Sequence, residues 1–140
     1  MYVCVMMRDS SVNNHMQLCR YPFMVSIQVN DSAVSNTFTH RCGGSLVAPR
    51  WILTAAHCVT PFVNNTQVVS VLIGALNVTN NGYTRSLDPG AEFMHVSGAV
   101  YHESYKVLTS GAVVNDIALL RLPVASMFTP KSITTEVRNT

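Results

Sequence analysis

Cys42-Gly43-Gly44-Ser45-Leu46-Val47-Ala48-Pro49-Arg50-Trp51-Ile52-Leu53-Thr54-Ala55-Ala56-His57-Cys58 reads as two strands joined by a proline turn and closed by one helical turn. The first strand covers residues 41–47, where Gly43-Gly44 allows a close backbone approach or a bulge. Ala48-Pro49-Arg50 reverses the chain, residues 51–54 form the second strand, and residues 55–58 make the helical turn. Such a hairpin brings its ends together, so Cys42 and Cys58, 16 positions apart, can be joined. A disulfide there would hold the neighbouring His57 in place.

Working outward, the same pattern continues on both sides. Phe23, Val25, Ile27 and Val29 alternate with Met24, Ser26 and Gln28, the period of a half-buried strand, which ends at Asn30-Asp31-Ser32. Residues 68–76 are a long apolar run broken by Gly74, residues 92–100 are strand-like, and residues 117–122 form a final apolar strand. Asn80-Asn81-Gly82 and Asp88-Pro89-Gly90 mark turns. About six short strands with turns between them predict an all-β fold, an antiparallel barrel or sandwich.

Composition agrees and narrows the function classes. Val occurs 20 times and Thr 12 times among 140 residues, a usage suited to pleated strands. Hydrophobic residues reach 48% and charged ones only 11%, which excludes a disordered chain and leaves part of the surface suited to being covered. Nine Lys and Arg against seven Asp and Glu give a net charge of +2 and no basic stripe for phosphates, so no nucleic-acid partner is expected. No apolar run is long enough to span a membrane as a helix. Four cysteines (Cys4, Cys19, Cys42, Cys58) and three N-x-[ST] sequons, at Asn30, Asn64 and Asn77, favour a secreted protein with candidate glycosylation sites. No signal peptide is visible in this chain.

The chemistry rests on two residues. His57, held beside Cys58, is by itself no more than a partly buried turn residue. Asp116, in Asn115-Asp116-Ile117-Ala118-Leu119-Leu120, opens an apolar strand, which places its carboxylate near or inside the core and in need of a partner. An imidazole N–H is a natural one. A rigid His–Asp pair makes two thirds of a nucleophilic triad, with histidine as general base and the carboxylate fixing its tautomer.

At this point the chain resembles the trypsin/chymotrypsin-like serine proteases. The resemblance lies in Tyr21-Pro22-Phe23-Met24-Val25-Ser26-Ile27-Gln28, Cys42-Gly43-Gly44-Ser45-Leu46, the block 51–58 with its Thr-Ala-Ala-His-Cys, and the Asp-Ile-Ala-Leu-Leu at 116–120. It covers about residues 21 to 126. It implies a six-stranded antiparallel β-barrel, the first half of a trypsin-like double barrel. It further implies His57 as general base, Asp116 as its orienting carboxylate, Cys42–Cys58 as the histidine-loop disulfide, and a polypeptide substrate without cofactor. Ser45 matches a structural strand residue of the family.

The departures are specific. No Gly-Asp-Ser-Gly-Gly motif occurs in the 140 residues, so the nucleophile, oxyanion hole and specificity pocket are expected from missing sequence forming a second barrel. Near the family's activation point the chain has Arg8-Asp9-Ser10-Ser11-Val12, and a cut after Arg8 would expose Asp rather than Ile. Residues 1–20 are therefore an unassigned segment, a remnant of a pro or activation region, and residues 21–140 a partial peptidase domain. Cys4 and Cys19 would pair with each other or with a cysteine beyond the chain. With no C-x-x-C or H-x₃-H pair, and His95 and His102 seven apart, no metal site is expected. The expected activity is serine-type endopeptidase, with these 140 residues alone inactive. The competing reading is a non-catalytic protease homologue, a secreted binding or regulatory protein.

Overall fold

The computed structural model describes residues 6–7, 18–19, 22–30, 38–65, 68–75 and 91–130. The expectations for Cys4, the Cys19 side chain, Asn77 and the turns at 80–82 and 88–90 lie outside the described residues. Two short strands, β1 (Met6–Met7) and β2 (Leu18–Cys19), pair antiparallel with each other. The main sheet uses β3 (Met24–Val29), β4 (Thr39–Ala48), β5 (Trp51–Thr54), β6 (Val69–Ile73), β7 (Glu92–His95), β8 (Gly98–Tyr101) and β11 (Ala118–Arg121). Between β8 and β11 lies a small hairpin, β9 (Lys106–Val107) with β10 (Val113–Val114). Helix is confined, among the described residues, to α1 (Ala56–Val59) and a 3₁₀ turn at Thr60–Phe62.

The seven strands of the main sheet run in the order β7-β6-β3-β4-β5-β11-β8, each antiparallel to its neighbours. Its two end strands are successive pieces of one stretch. The Val96 N–H donates to the Val69 carbonyl and the Ser97 N–H to the Arg121 carbonyl, so the stretch passes at this point from β6 to β11. Counting it once gives the expected six-stranded barrel. The single strand expected over 92–100 is split because its neighbour changes. Closure also needs β4 to bend. Its register slips opposite Ile27/Gln28, where Arg41 is the extra residue, and between Leu46 and Ala48, where Val47 is. The bulges thus flank Gly43-Gly44, and Gly44 serves the close approach instead.

Inside the barrel, Val25, Ile27 and Val29 face Ile73, Val71 and Val69 across the β3–β6 ladder. Leu46, Ile52 and Leu120 stand in one inward row across β4, β5 and β11. The alternation predicted for β3 holds on this face only. Its other face is buried too, because Met24, Leu72, Ala75, Ala91 and Phe93 form a second apolar cluster outside the barrel. There Ser26 Oγ hydrogen-bonds His40 Nδ1 at 2.7 Å and accepts from Gln28 Nε2, while Gln28 Oε1 is buried without a partner.

Candidate active site

His57 arrives at the barrel rim because β5 runs straight into α1. Ala55 is still extended (φ −91°, ψ 145°), and the chain turns helical at Ala56. On the neighbouring strand at the same rim, the chain enters β11 through Asn115, which takes a positive φ of 54°. The ladder pairs Ala118 with Thr54, so residues just before 118 and just after 54 meet at one end of the β5–β11 pair.

Asp116 grips His57 with both carboxylate oxygens. Oδ1 accepts the His57 backbone N–H at 2.8 Å, and Oδ2 lies 2.6 Å from His57 Nδ1. The backbone N–H is one of those a helix start leaves unbonded, so the carboxylate caps α1 and orients the ring together. Those two bonds from His57, backbone first and ring second, hold the Asp116 carboxyl below the usual carboxylate range. An ionised carboxylate only accepts, so Nδ1 carries the proton and the neutral ring keeps its free lone pair on Nε2. Of the two expected placements, near or inside the core, Asp116 takes the first and is not enclosed. Its side chain is 27% exposed and that of His57 56%, because the partner it needs stands at the rim rather than among apolar side chains.

Cys42 and Cys58 are joined, with Cα atoms 6.2 Å apart, tying β4 to α1 beside His57. Cys58 Sγ lies 3.5 Å from His57 Nε2. The ligand atoms of Cys42, His57 and Cys58 fall within 4.8 Å of one another, but both sulfurs are bonded to each other and offer no thiolate to a metal. His95 and His102 are engaged separately, His95 Nδ1 with Ser70 Oγ and His102 Nδ1 as acceptor of the Ser104 N–H. Ser45 stands mid-strand between Met24 and Leu53. Asn64 is exposed in a turn, and Asn30, at the end of β3, donates its N–H to the Val68 carbonyl. The sequence reading left β9–β10 unassigned, although Ser110-Gly111 between Val107-Leu108 and Ala112-Val113-Val114 is a turn signal between apolar pairs. Among the described residues, no helix is long and apolar enough to cross a membrane.

Comparison with known proteins fits this geometry. The family model described as Trypsin matches residues 11–137. Brachyurin of Leptuca pugilator is 36% identical over 102 residues, covering 66% of this chain and 39% of that protein. Mus musculus tryptase is 35% identical over 103 residues (74% and 32%), and Homo sapiens granzyme M 38% over 102 residues (72% and 31%). Among solved structures, the Vibrio cholerae VesB protease aligns with a TM-score of 0.57 at 27% identity, over 81% of this chain and 31% of that one. The chain thus spans between 31% and 39% of the length of these relatives. With the family model covering most of the sequence and the barrel matching in three dimensions, this chain belongs to the trypsin family.

Proposed function

We propose that residues 21–140 supply the base half of a secreted trypsin-like serine endopeptidase, with residues 1–20 left from its pro or activation region. The observation that carries this is the two-point bond from Asp116 to His57, which fixes the ring with Nε2 available as a base. In the intact enzyme a serine from a second barrel attacks the scissile carbonyl. His57 Nε2 takes the serine proton and then delivers it to the leaving amine, forming an acyl-enzyme. Water, deprotonated by the same nitrogen, releases the acyl group and restores the serine. Asp116 holds the tautomer and stabilises the imidazolium throughout. No cofactor enters these steps. Asn30, Asn64 and Asn77 are the proposed glycan acceptors.

The test is transcript sequence past the Thr140 codon, followed by labelling with a fluorophosphonate serine probe. A continuation carrying Gly-Asp-Ser-Gly-Gly, expressed as the longer chain, is expected to label. Asp116→Asn in that chain should lower kcat by about 10⁴-fold, the magnitude seen in the family's template enzyme. The 140-residue chain alone should not label. A confirmed stop codon after Thr140 would sink the peptidase reading and leave a non-catalytic homologue acting as a secreted binding protein.

A further inference from the structure

The approach of Asp116 to His57 depends on how the chain turns between β10 and β11. At that turn Asn115 combines two features. Its backbone has φ 54°, the left-handed region that Asn and Asp reach more easily than other side chains but that still favours glycine. Its Nδ2 donates to the Ser104 carbonyl at 2.8 Å, eleven residues back. A second bond runs parallel to it, from the His102 N–H to the Ile117 carbonyl at 3.0 Å. The segments 102–105 and 115–117 are therefore stapled together on both sides of Asp116. The Ile117 N–H also donates to the Asn115 carbonyl at 2.9 Å, so the backbone is folded tightly around the carboxylate-bearing residue.

We infer that Asn115 is a positioning residue for the His–Asp pair, its left-handed backbone turning Asp116 toward the rim and its side-chain amide holding that turn to Ser104. The inference rests on the His57–Asp116 reading above and adds a residue that touches neither histidine nor substrate. Residues 106–115 are exposed throughout, so besides the Asn115 tether the segment is held by the Lys106–Val114 and Val107–Val113 pairs and by Tyr105, which packs against the core. The two features are separable by substitution. Gly keeps the left-handed turn without steric strain and loses the tether; Ala loses the tether and strains the turn.

The experiment is nuclear magnetic resonance on the full 140-residue chain with 15N-labelled histidine and 13C-labelled aspartate carboxyls. His57 is assigned by its loss in His57→Gln. In the unsubstituted chain His57 should show a single Nδ1–H tautomer, and Asp116 should titrate below the ordinary carboxylate range. Asn115→Ala should populate the Nε2–H tautomer and move the Asp116 titration up, and Asn115→Gly should do both to a lesser degree. Methyl shifts of Ile52 and Val71 in the core should stay fixed, separating repositioning from general loosening. If Asn115→Ala does not fold, Asn115→Gly carries the test alone. Wild-type tautomer and titration in the folded variants overturn the positioning role while leaving the pair intact. A mixed tautomer and an ordinary Asp116 titration in the unsubstituted chain overturn the pair itself, and Asn115's role with it.

Discussion

A Cβ placed on Gly44 would lie 2.9 Å from Ile52 Cγ2 and 3.1 Å from the Leu53 carbonyl oxygen, whereas one on Gly43 would meet nothing within 4 Å. The neighbours at Gly44 are a core side chain and a backbone atom, neither free to give way. Gly44→Ala should therefore destabilise the chain by about 1–3 kcal/mol, as overpacking does, and Gly43→Ala should be close to neutral. Paired thermal melts check this, and equal losses at both positions would contradict it. His40 offers a second single-residue test. Burial holds its imidazole below the ordinary histidine range, with Ser26 Oγ bonded to Nδ1. The unfolded chain then binds more protons than the folded one as pH falls through that range, so stability should drop on acidification. Asp116 repeats the same sign lower down, since its carboxyl is held below its ordinary value and loses its bonds once protonated. Melts from pH 8 to 3 should show two descending steps, the upper one missing in His40→Gln. At this scale the Cys42–Cys58 pairing was legible in the hairpin, whereas the roles of His57 and Asp116 came from the family resemblance, since a lone turn histidine and a strand-start aspartate mark no chemistry by themselves. The Asn115 tether was not legible, since a bond to a carbonyl eleven residues back leaves no local trace.

The elements were readable where apolar pattern and turn residues agreed, as in β5 and the helical turn α1. They were misread where tertiary pairing decided the outcome. The run over 92–100 has an unbroken strand composition, and only its change of neighbour at Val96-Ser97 divides it. The bulges at Arg41 and Val47 likewise follow from barrel curvature rather than from any residue preference. The disulfide is the covalent link between elements on which the site depends, joining β4 to the helical turn that carries His57. Closing a loop of 16 residues stabilises by about 3 kcal/mol in the chain-entropy model. A Cys42→Ser/Cys58→Ser double variant should lose that much in denaturant unfolding. Peptide mapping without reduction should recover Cys42 and Cys58 in one linked fragment, and free thiols at both positions would contradict the structure.

For the molecule as a whole, the low charge content noted in the sequence acquires a location. Cross-strand register places Val100, Leu119 and Leu53 side by side on the outer face of β8, β11 and β5. Val100 is 61% exposed, and Ile117, Val124 and Met127 are exposed near the ends of the same strands. The separate β9–β10 hairpin carries further exposed apolar residues, Val107, Leu108, Val113 and Val114. Scattered apolar residues on a surface are ordinary, but a row aligned by register is a face. If the second barrel proposed above covers it in the intact protein, the 140-residue chain alone leaves it open to solvent. The folded chain should therefore bind a hydrophobic dye such as ANS at temperatures well below its melt. Val100→Lys should cut that binding sharply without lowering the melting temperature, since the side chain already stands in water and takes no part in the core. Appending the downstream sequence should abolish dye binding as well. Undiminished fluorescence in Val100→Lys, with the melt unchanged, would place the open apolar surface elsewhere and remove this face as the seat of a second barrel.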